Sequence, residues 1–193
     1  MKKSPTLAEE MLRTILRAAR KARAKVAIGG GLAVRAHGYR RETRDVDAFF
    51  HFADRQKVLR ALRAVAGDYA VEELDPSHWI AVPPGAEPDE RVDLLFATGD
   101  PEESAIELAV RKKCGSVLAP VFPVDILVAC KFLAERDDAK DWLDIYALHR
   151  RGAYDIRDVV RRLRQMGLRE DGERFVAFMA SLEEMSRKKR ERK

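Results

Sequence analysis

The amino-acid sequence predicts an α+β fold in which a small mixed β-sheet, flanked by helices, is followed by a C-terminal helical module. In the first half, short apolar segments alternate with turns rich in glycine and proline, which is typical of strands. In the second half, apolar residues recur every three to four positions, which indicates amphipathic helices. We expect the two parts to span residues 1–122 and 123–193.

The first half is expected to open with a helix. Ser4 and Pro5 suit its N-cap and first helical residue, and Leu7 and Met11 begin an apolar series at four-residue spacing. The helix is expected to run to about Ala24. The elements expected next are a strand at 25–28, a helix at 32–37, a strand at 46–52, a helix at 54–66 and short strands between 69 and 96.

A further helix is expected to start at Asp100-Pro101-Glu102-Glu103, because a cap, a proline and an acidic first turn come together there. It is expected to end near Cys114-Gly115. The remaining elements are a strand or hairpin at 117–122, a helical segment at 124–151 with a turn near 136–139, and two helices around 156–163 and 175–182.

The composition is that of a globular protein. Of the 193 residues, 46% are hydrophobic and 36% are charged, which argues against extensive disorder. No apolar run approaches the ~18 residues that span a membrane. Glu9 and Glu10 stand where a signal peptide would need apolar residues. The expected location is the cytoplasm, with no membrane partner.

Cysteine and histidine spacings give little support to zinc or serine-hydrolase chemistry. Cys114 and Cys130 lie too far apart for a Cys-x-x-Cys motif, and we interpret both as reduced structural residues. There is no His-Glu-x-x-His arrangement and no nucleophile elbow. The histidines are scattered at positions 37, 51, 78 and 149.

Basic residues are unevenly distributed along a chain of net charge +5. The tail from Arg187 to Lys193 has six basic residues against one glutamate, and a second basic concentration covers Arg13 to Lys25. Such runs are usually solvated helix faces, and contact with nucleic acid is the less common alternative.

The most informative stretch combines a glycine turn with an acidic pair. Gly30 and Gly31 lack a Cβ, so backbone N–H groups at the start of a helix can approach phosphate oxygens. Asp45 and Asp47 flank Val46 on the next strand and are expected to point to the same face, about 7 Å apart along the backbone. Alone, each pattern is more often a tight turn or a solvated strand edge.

Asp93 stands out in the otherwise apolar strand that follows Arg91. A carboxylate in a buried strand costs several kcal/mol unless it is paired or metal-bound. The alternative is a carboxylate that faces solvent at the start of its strand.

Taken together, these motifs resemble those of the nucleotidyltransferase superfamily typified by DNA polymerase β, and in particular the AbiEii-like and MenT-like toxin nucleotidyltransferases. The pattern is a Gly-Gly-x-Ala turn, a His-Gly pair, an Arg-x-Thr-x-Asp-x-Asp segment and a third acid on a later strand. The matching residues are Gly30, Gly31, Ala33, His37, Gly38, Arg41, Thr43, Asp45, Asp47 and Asp93.

The resemblance implies a site for Mg²⁺, or Mn²⁺, and a nucleoside triphosphate. Asp45, Asp47 and Asp93 would be the catalytic, metal-binding acids, because Mg²⁺ prefers oxygen ligands and two ions can hold the attacking and leaving oxygens. The nucleotide would be bound by Gly30, Gly31, Thr43, Lys131 and Asp141.

Two features depart from the family pattern. Gly29 precedes Gly30 and Gly31, so the glycine pair that binds phosphate is uncertain by one residue. The connection Asp137-Asp138-Ala139 is longer than expected and weakens the assignment of Asp141 more than that of Lys131. Without the resemblance, Lys131 would be read as a surface lysine on an amphipathic helix.

The implied activity is transfer of a nucleoside monophosphate to an acceptor hydroxyl, on an RNA end such as that of tRNA or on a protein, by the toxin of a toxin–antitoxin pair. The rival hypothesis is a non-catalytic module of the same fold that binds nucleic acid or a protein partner. A third and more remote hypothesis is that Asp45 and Asp47 belong to a sugar-nucleotide transferase motif.

Overall fold

A computed structural model describes residues 4–134 and 139–191, with side chains up to Ser186. The chain divides into two compact units, residues 1–123 and 124–193. The basic tail side chains from Arg187 onward, and most of the turn expected at 136–139, lie outside the described residues.

The first unit contains a seven-stranded mixed sheet with strand order β3-β4-β5-β2-β1-β7-β6. Strand β2 is parallel to β5 and β1 is parallel to β7, while the other neighbours are antiparallel. A short 3-10 helix, Phe52–Asp54, follows β2. The strands are β1 Ala27–Ile28, β2 Val46–His51, β3 Ala70–Asp75, β4 His78–Val82, β5 Val92–Ala97, β6 Val110–Cys114 and β7 Val117–Val121. The helices are α1 Leu7–Ala22, α2 Gly30–Ala36, α3 Arg55–Val65 and α4 Glu102–Glu107.

Alternation along β2 separates a buried face of the sheet from a more polar one. Val46, Ala48 and Phe50 are fully buried, whereas Asp47 and Phe49 between them are only partly buried. Helix α1 packs against β2, β7 and α3. Because a fully buried Val or Phe stabilises a fold by about 1.5–3 kcal/mol, this pattern fixes the register of β2 and leaves Asp47 on the opposite face.

Two local expectations were wrong. The first helix is capped by Thr6, whose hydroxyl accepts a hydrogen bond from the Glu9 N–H at 3.3 Å, rather than by Ser4. The helix expected at 100–114 ends at Glu107, because residues 110–114 pair antiparallel with β7. Gly115 forms the connecting turn with φ +63. Pairing within the sheet here outweighs the local helix preference.

The second unit is helical over its described residues. Its helices are α5 Val124–Leu133, α6 Ala139–Arg150, α7 Ile156–Gln165 and α8 Arg169–Glu191. Asp155 caps α7 by accepting from the Arg157 N–H. The core includes Phe175, whose ring lies 5.2 Å from that of Phe132. Sheet followed by helices confirms the α+β expectation. No helix in the described part of the chain is long and apolar enough to cross a membrane.

Candidate active site

The glycine turn before α2 lies directly against the second acid of the pair. Gly30 has φ +50, a conformation that favours glycine. A Cβ at Gly30 would lie 2.5 Å from Cγ of Asp47 and overlap the carboxylate. The Gly29 N–H also donates to the Asp47 carbonyl at 3.0 Å. The glycine turn is therefore fixed against Asp47 by a hydrogen bond and by close packing.

The three consecutive glycines contact different surroundings. A Cβ at Gly31 would meet the Thr43 side chain, with Cβ of Thr43 at 2.8 Å, and the Arg41 guanidinium. A Cβ at Gly29 would instead meet the Phe49 ring at 2.6 Å. Gly30 and Gly31 are thus the pair in contact with polar side chains, whereas Gly29 packs on an aromatic ring of the sheet.

The acids lie side by side at the start of two parallel strands. Asp47 on β2 is in register with Asp93 on β5, and neighbouring strands run about 4.8 Å apart. Asp45 immediately precedes β2 and accepts a hydrogen bond from the Thr43 hydroxyl. We call Asp45, Asp47 and Asp93 the carboxylate face.

Asp93 is buried, with 6% of its surface exposed, and it is paired. Nε2 of His78 lies 2.8 Å from its Oδ1, and Nε of Arg91 donates to its Oδ2 at 3.1 Å. The alternative of a solvent-facing carboxylate is wrong for this residue. Its two cationic or polar partners offset the cost of burying the charge.

The guanidinium of Arg91 interacts with all three acids of the carboxylate face. The hydrogen bond to Asp93 raises the pKa of Arg91 above its usual value, partly opposed by burial, and the charges of Asp93, Asp45 and Asp47 raise it further. All three acids of the carboxylate face therefore interact electrostatically with the Arg91 guanidinium.

The carboxylate face has the donor chemistry that Mg²⁺ requires, since all its ligand atoms would be hard oxygens. The side chains as they stand do not form a closed cage: within residues 4–134 and 139–191, no three His, Cys, Asp or Glu side chains are grouped so that they hold a metal. Both oxygens of Asp93 and one of Asp45 already have partners. A metal at this face would compete with those hydrogen bonds.

Lys131 and Asp141 belong to the second unit, where they form a compact ion cluster. Nζ of Lys131 bonds to Asp141 and lies 2.9 Å from Oδ2 of Asp144. The side chains of Lys131, Asp141 and Asp144 are only 9%, 13% and 1% exposed. We call these three residues the lysine cluster. The reading of Lys131 as a surface lysine is wrong.

The sequence reasoning missed His78 and assigned no role to Arg91. Arg91 could have been found, because it precedes Asp93 by two residues and so shares its side of the strand. His78 could not, because its contact depends on the pairing of Ile80 with Asp93 between β4 and β5. His37, part of the family pattern, lies 2.8 Å from the Phe122 carbonyl and anchors the end of α2.

Solved structures similar to this one include two of an antibiotic-resistance factor. The solution structure of the antibiotic-resistance factor ANT(2'')-Ia superposes with a TM-score of 0.57 at 19% identity, covering 94% of this chain and 96% of that chain. A crystal structure of ANT(2'')-Ia with adenylyl-2''-tobramycin gives 0.52 at 18% identity, covering 90% and 97%. At this identity the likeness establishes the nucleotidyltransferase fold.

The family assignment is more specific. The model of the family described as nucleotidyl transferase AbiEii toxin, type IV toxin–antitoxin system, matches residues 14–192. The chain belongs to this family, and it is therefore a nucleotidyltransferase of the toxin–antitoxin class. No curated protein sequence matches the chain.

Proposed function

We propose that this nucleotidyltransferase uses Mg²⁺, or Mn²⁺ in its place, to move a nucleoside monophosphate from a nucleoside triphosphate to an acceptor hydroxyl. The acceptor would be an RNA end, such as that of tRNA, or a protein, and the enzyme would be the toxin that an antitoxin counteracts. The observation that carries the proposal is the register of Asp47 beside Asp93, with the Gly30 turn against Asp47.

The glycine turn and Thr43 would bind the triphosphate. Gly30 and Gly31 have no Cβ, and the polar side chains of Asp47 and Thr43 lie close to them. The backbone N–H groups of the turn would bind phosphate oxygens beside these side chains. The Thr43 hydroxyl lies against Gly31 and bonds to Asp45, which joins the phosphate site to the acids.

The acids would hold the metal ions, which supply charge neutralisation at the attacking and leaving oxygens. Asp93 would take the proton of the acceptor hydroxyl as that oxygen attacks the α-phosphorus. The bond from the α-phosphorus to the bridging oxygen breaks, and pyrophosphate leaves. His78 and Arg91 would hold Asp93 in a fixed orientation, so that catalysis comes mainly from positioning.

Lys131 and Asp141 are proposed to contact the nucleotide on the strength of the family resemblance. Lys131 is held by Asp141 and Asp144. To contact a phosphate, its ammonium group would either give up one of these ion pairs or bind the phosphate in addition to them. A lysine ammonium has three donors and can serve a phosphate beside two acids.

The test is a transfer assay with each α-³²P-labelled nucleoside triphosphate, with and without Mg²⁺ or Mn²⁺. The acceptors are bulk tRNA, total RNA and total protein, with tobramycin as an added small-molecule acceptor. Asp47→Ala should lose at least about 100-fold in rate, as expected for losing a group that stabilises transition-state charge. Asp68→Ala, an exposed acid elsewhere in the unit, is the matched control.

Metal-dependent labelling of RNA or protein that fails only in Asp47→Ala supports the proposal. Full activity of Asp47→Ala contradicts the assigned site. If wild-type protein binds RNA but labels no acceptor under any condition, the rival reading of a non-catalytic binding module is correct.

A further inference from the structure

An open cleft of about 630 Å³ in the first unit is rich in arginine. Four guanidinium side chains line it, from the end of α2 and from the segment that leads to β2, and two glutamates complete its charged lining. These residues are Arg35, Arg40, Arg41, Arg44, Glu42 and Glu90. We call this site the arginine cleft.

The charge of the arginine cleft is positive, since its four arginines outnumber its two glutamates. Arg44 also lies 3.6 Å from Asp89, but both side chains are more than half exposed. An exposed pair of this kind contributes little and exchanges partners readily. The cleft therefore offers guanidinium groups to an anion from solvent.

The arginine cleft borders residues of the proposed catalytic site. Thr43 and Arg41 both line the cleft and both lie against Gly31 of the glycine turn. Thr43 in addition bonds to Asp45 of the carboxylate face. The cleft therefore shares Thr43 with the proposed triphosphate site, and Thr43 bonds directly to Asp45, one of the acids proposed to hold the metal.

We propose that the arginine cleft binds the phosphodiester backbone of a polynucleotide acceptor and leads its terminal hydroxyl to the carboxylate face. This inference rests on the proposed function, which it extends by choosing a polynucleotide over a protein acceptor. Guanidinium forks match phosphate oxygens in shape and charge, and backbone contacts of this kind position a strand without reading its sequence.

The lining favours phosphates over a protein partner. Protein interfaces depend on a few buried aromatic or large apolar anchors. Leu7 is the largest apolar side chain among the lining residues, and no aromatic ring is among them. The triphosphate of the nucleotide is the other source of phosphate groups, so the experiment separates the two.

The experiment measures binding of a 5′-fluorescein-labelled 20-nucleotide single-stranded RNA to the full chain by fluorescence anisotropy, over a range of salt concentrations. The variant is Arg40→Gln/Arg44→Gln, which removes two exposed cleft charges. The control is Arg60→Gln/Arg63→Gln on α3, which removes two exposed charges away from the cleft. Nucleoside triphosphate affinity is measured in parallel by calorimetry.

We expect the cleft variant to weaken RNA binding at least about tenfold, and to flatten the plot of log K against log salt by about 1.4, since each lost phosphate contact on a single strand contributes about 0.7. The control should stay within about twofold. Nucleotide affinity should be unchanged in both.

Equal weakening by the two variants would overturn the proposal, because it would show general charge attraction. Loss of nucleotide affinity with intact RNA binding would assign the cleft to the triphosphate and also overturn it. The outcome is separable from the proposed function: Asp47→Ala tests transfer without changing the cleft, and RNA binding through the cleft is measured without turnover.

Discussion

The carboxylate face of the first unit and the lysine cluster of the second both combine acids with cations, but they differ in how deeply the acids are buried. In the lysine cluster, one ammonium bonds to two carboxylates, and Asp144 is 1% exposed. On the carboxylate face, His78 and Arg91 both bond to Asp93, while Asp45 and Asp47 keep partly exposed positions.

The difference separates a buried ion cluster from an acidic face that is partly exposed to solvent. In a buried cluster, removal of one charged group breaks ion pairs that water cannot replace, so the first consequence is lost stability. On a partly exposed acidic face, the free-energy cost of neutralising an acid is small and the consequence is expected in ligand binding. Substitutions in the two regions should therefore change different quantities.

The largest effect on stability is expected for Asp144→Ala. It breaks the buried ion pair between Asp144 and Lys131, and because Lys131 keeps Asp141 as a partner, the cost should be about 3 kcal/mol, at the lower end for a broken buried pair. Urea denaturation followed by circular dichroism measures this. Asp47→Ala should change the free energy of unfolding by less than about 1 kcal/mol, as surface substitutions do. Equal destabilisation by Asp144→Ala and Asp47→Ala would contradict the claim that the lysine cluster contributes more to stability than the carboxylate face.

Lys131→Met tests whether the lysine cluster also serves the nucleotide. Loss of the buried cation should destabilise the protein by about 3 kcal/mol. If Lys131 touches phosphate, triphosphate affinity of the folded variant should fall about tenfold, in line with the 1.5–3 kcal/mol of a charged hydrogen bond. Calorimetry at a temperature where the variant remains folded gives the answer, and an unchanged affinity would leave Lys131 a purely structural residue.

Gly30→Ala should disturb the carboxylate face with a smaller effect on stability. The new methyl group would overlap Asp47, and φ +50 is unfavourable for alanine. We expect about 1–2 kcal/mol of backbone strain and a drop in transfer rate of about 10- to 100-fold. Gly85→Ala is the matched control, because Gly85 has φ +73 with nothing within 4 Å of its Cβ position. The control should show similar strain and full activity; equal rates in the two variants would contradict the role of the turn.

The smallest effect concerns the two cysteines, one in each unit. Burial raises the pKa of the Cys114 thiol to about 11, so at pH 8 only about a thousandth of it is the reactive thiolate. Cys130 is half-buried. Iodoacetamide labelling followed by peptide mass spectrometry should modify Cys130 first. Labelling of Cys114 should increase as the pH rises towards 11, and faster modification of Cys114 at pH 8 would contradict its burial.

Much of the fold followed from the sequence, because local patterns determine most of its elements. The strand expected at 46–52 is present as β2, Val46–His51, and the buried residues Val46, Ala48 and Phe50 alternate with Asp47 along it. Strand β6 was not predicted, because residues 110–114 are mostly exposed and owe their strand form to pairing with β7. Strand β6 forms because of this tertiary pairing, which the local sequence does not indicate.

The candidate site was predictable where its residues lie close in sequence. Gly30, Gly31, Thr43, Asp45 and Asp47 fall within 18 consecutive residues. The partners of Asp93 were not predictable as a set, because the contact with His78 requires the register between β4 and β5. The closed state of the lysine cluster was also missed, since helical spacing does not reveal which side chains meet between two helices.

The most direct test of the account is binding of Mn²⁺ in the presence of a nonhydrolysable nucleoside triphosphate, measured by the loss of the free Mn²⁺ signal in electron paramagnetic resonance. Wild-type protein should bind the ion, Asp47→Asn should bind it at least about tenfold more weakly, and Asp68→Asn should match wild type. Equal Mn²⁺ binding by Asp47→Asn and wild type would contradict the claim that the carboxylate face holds the metal.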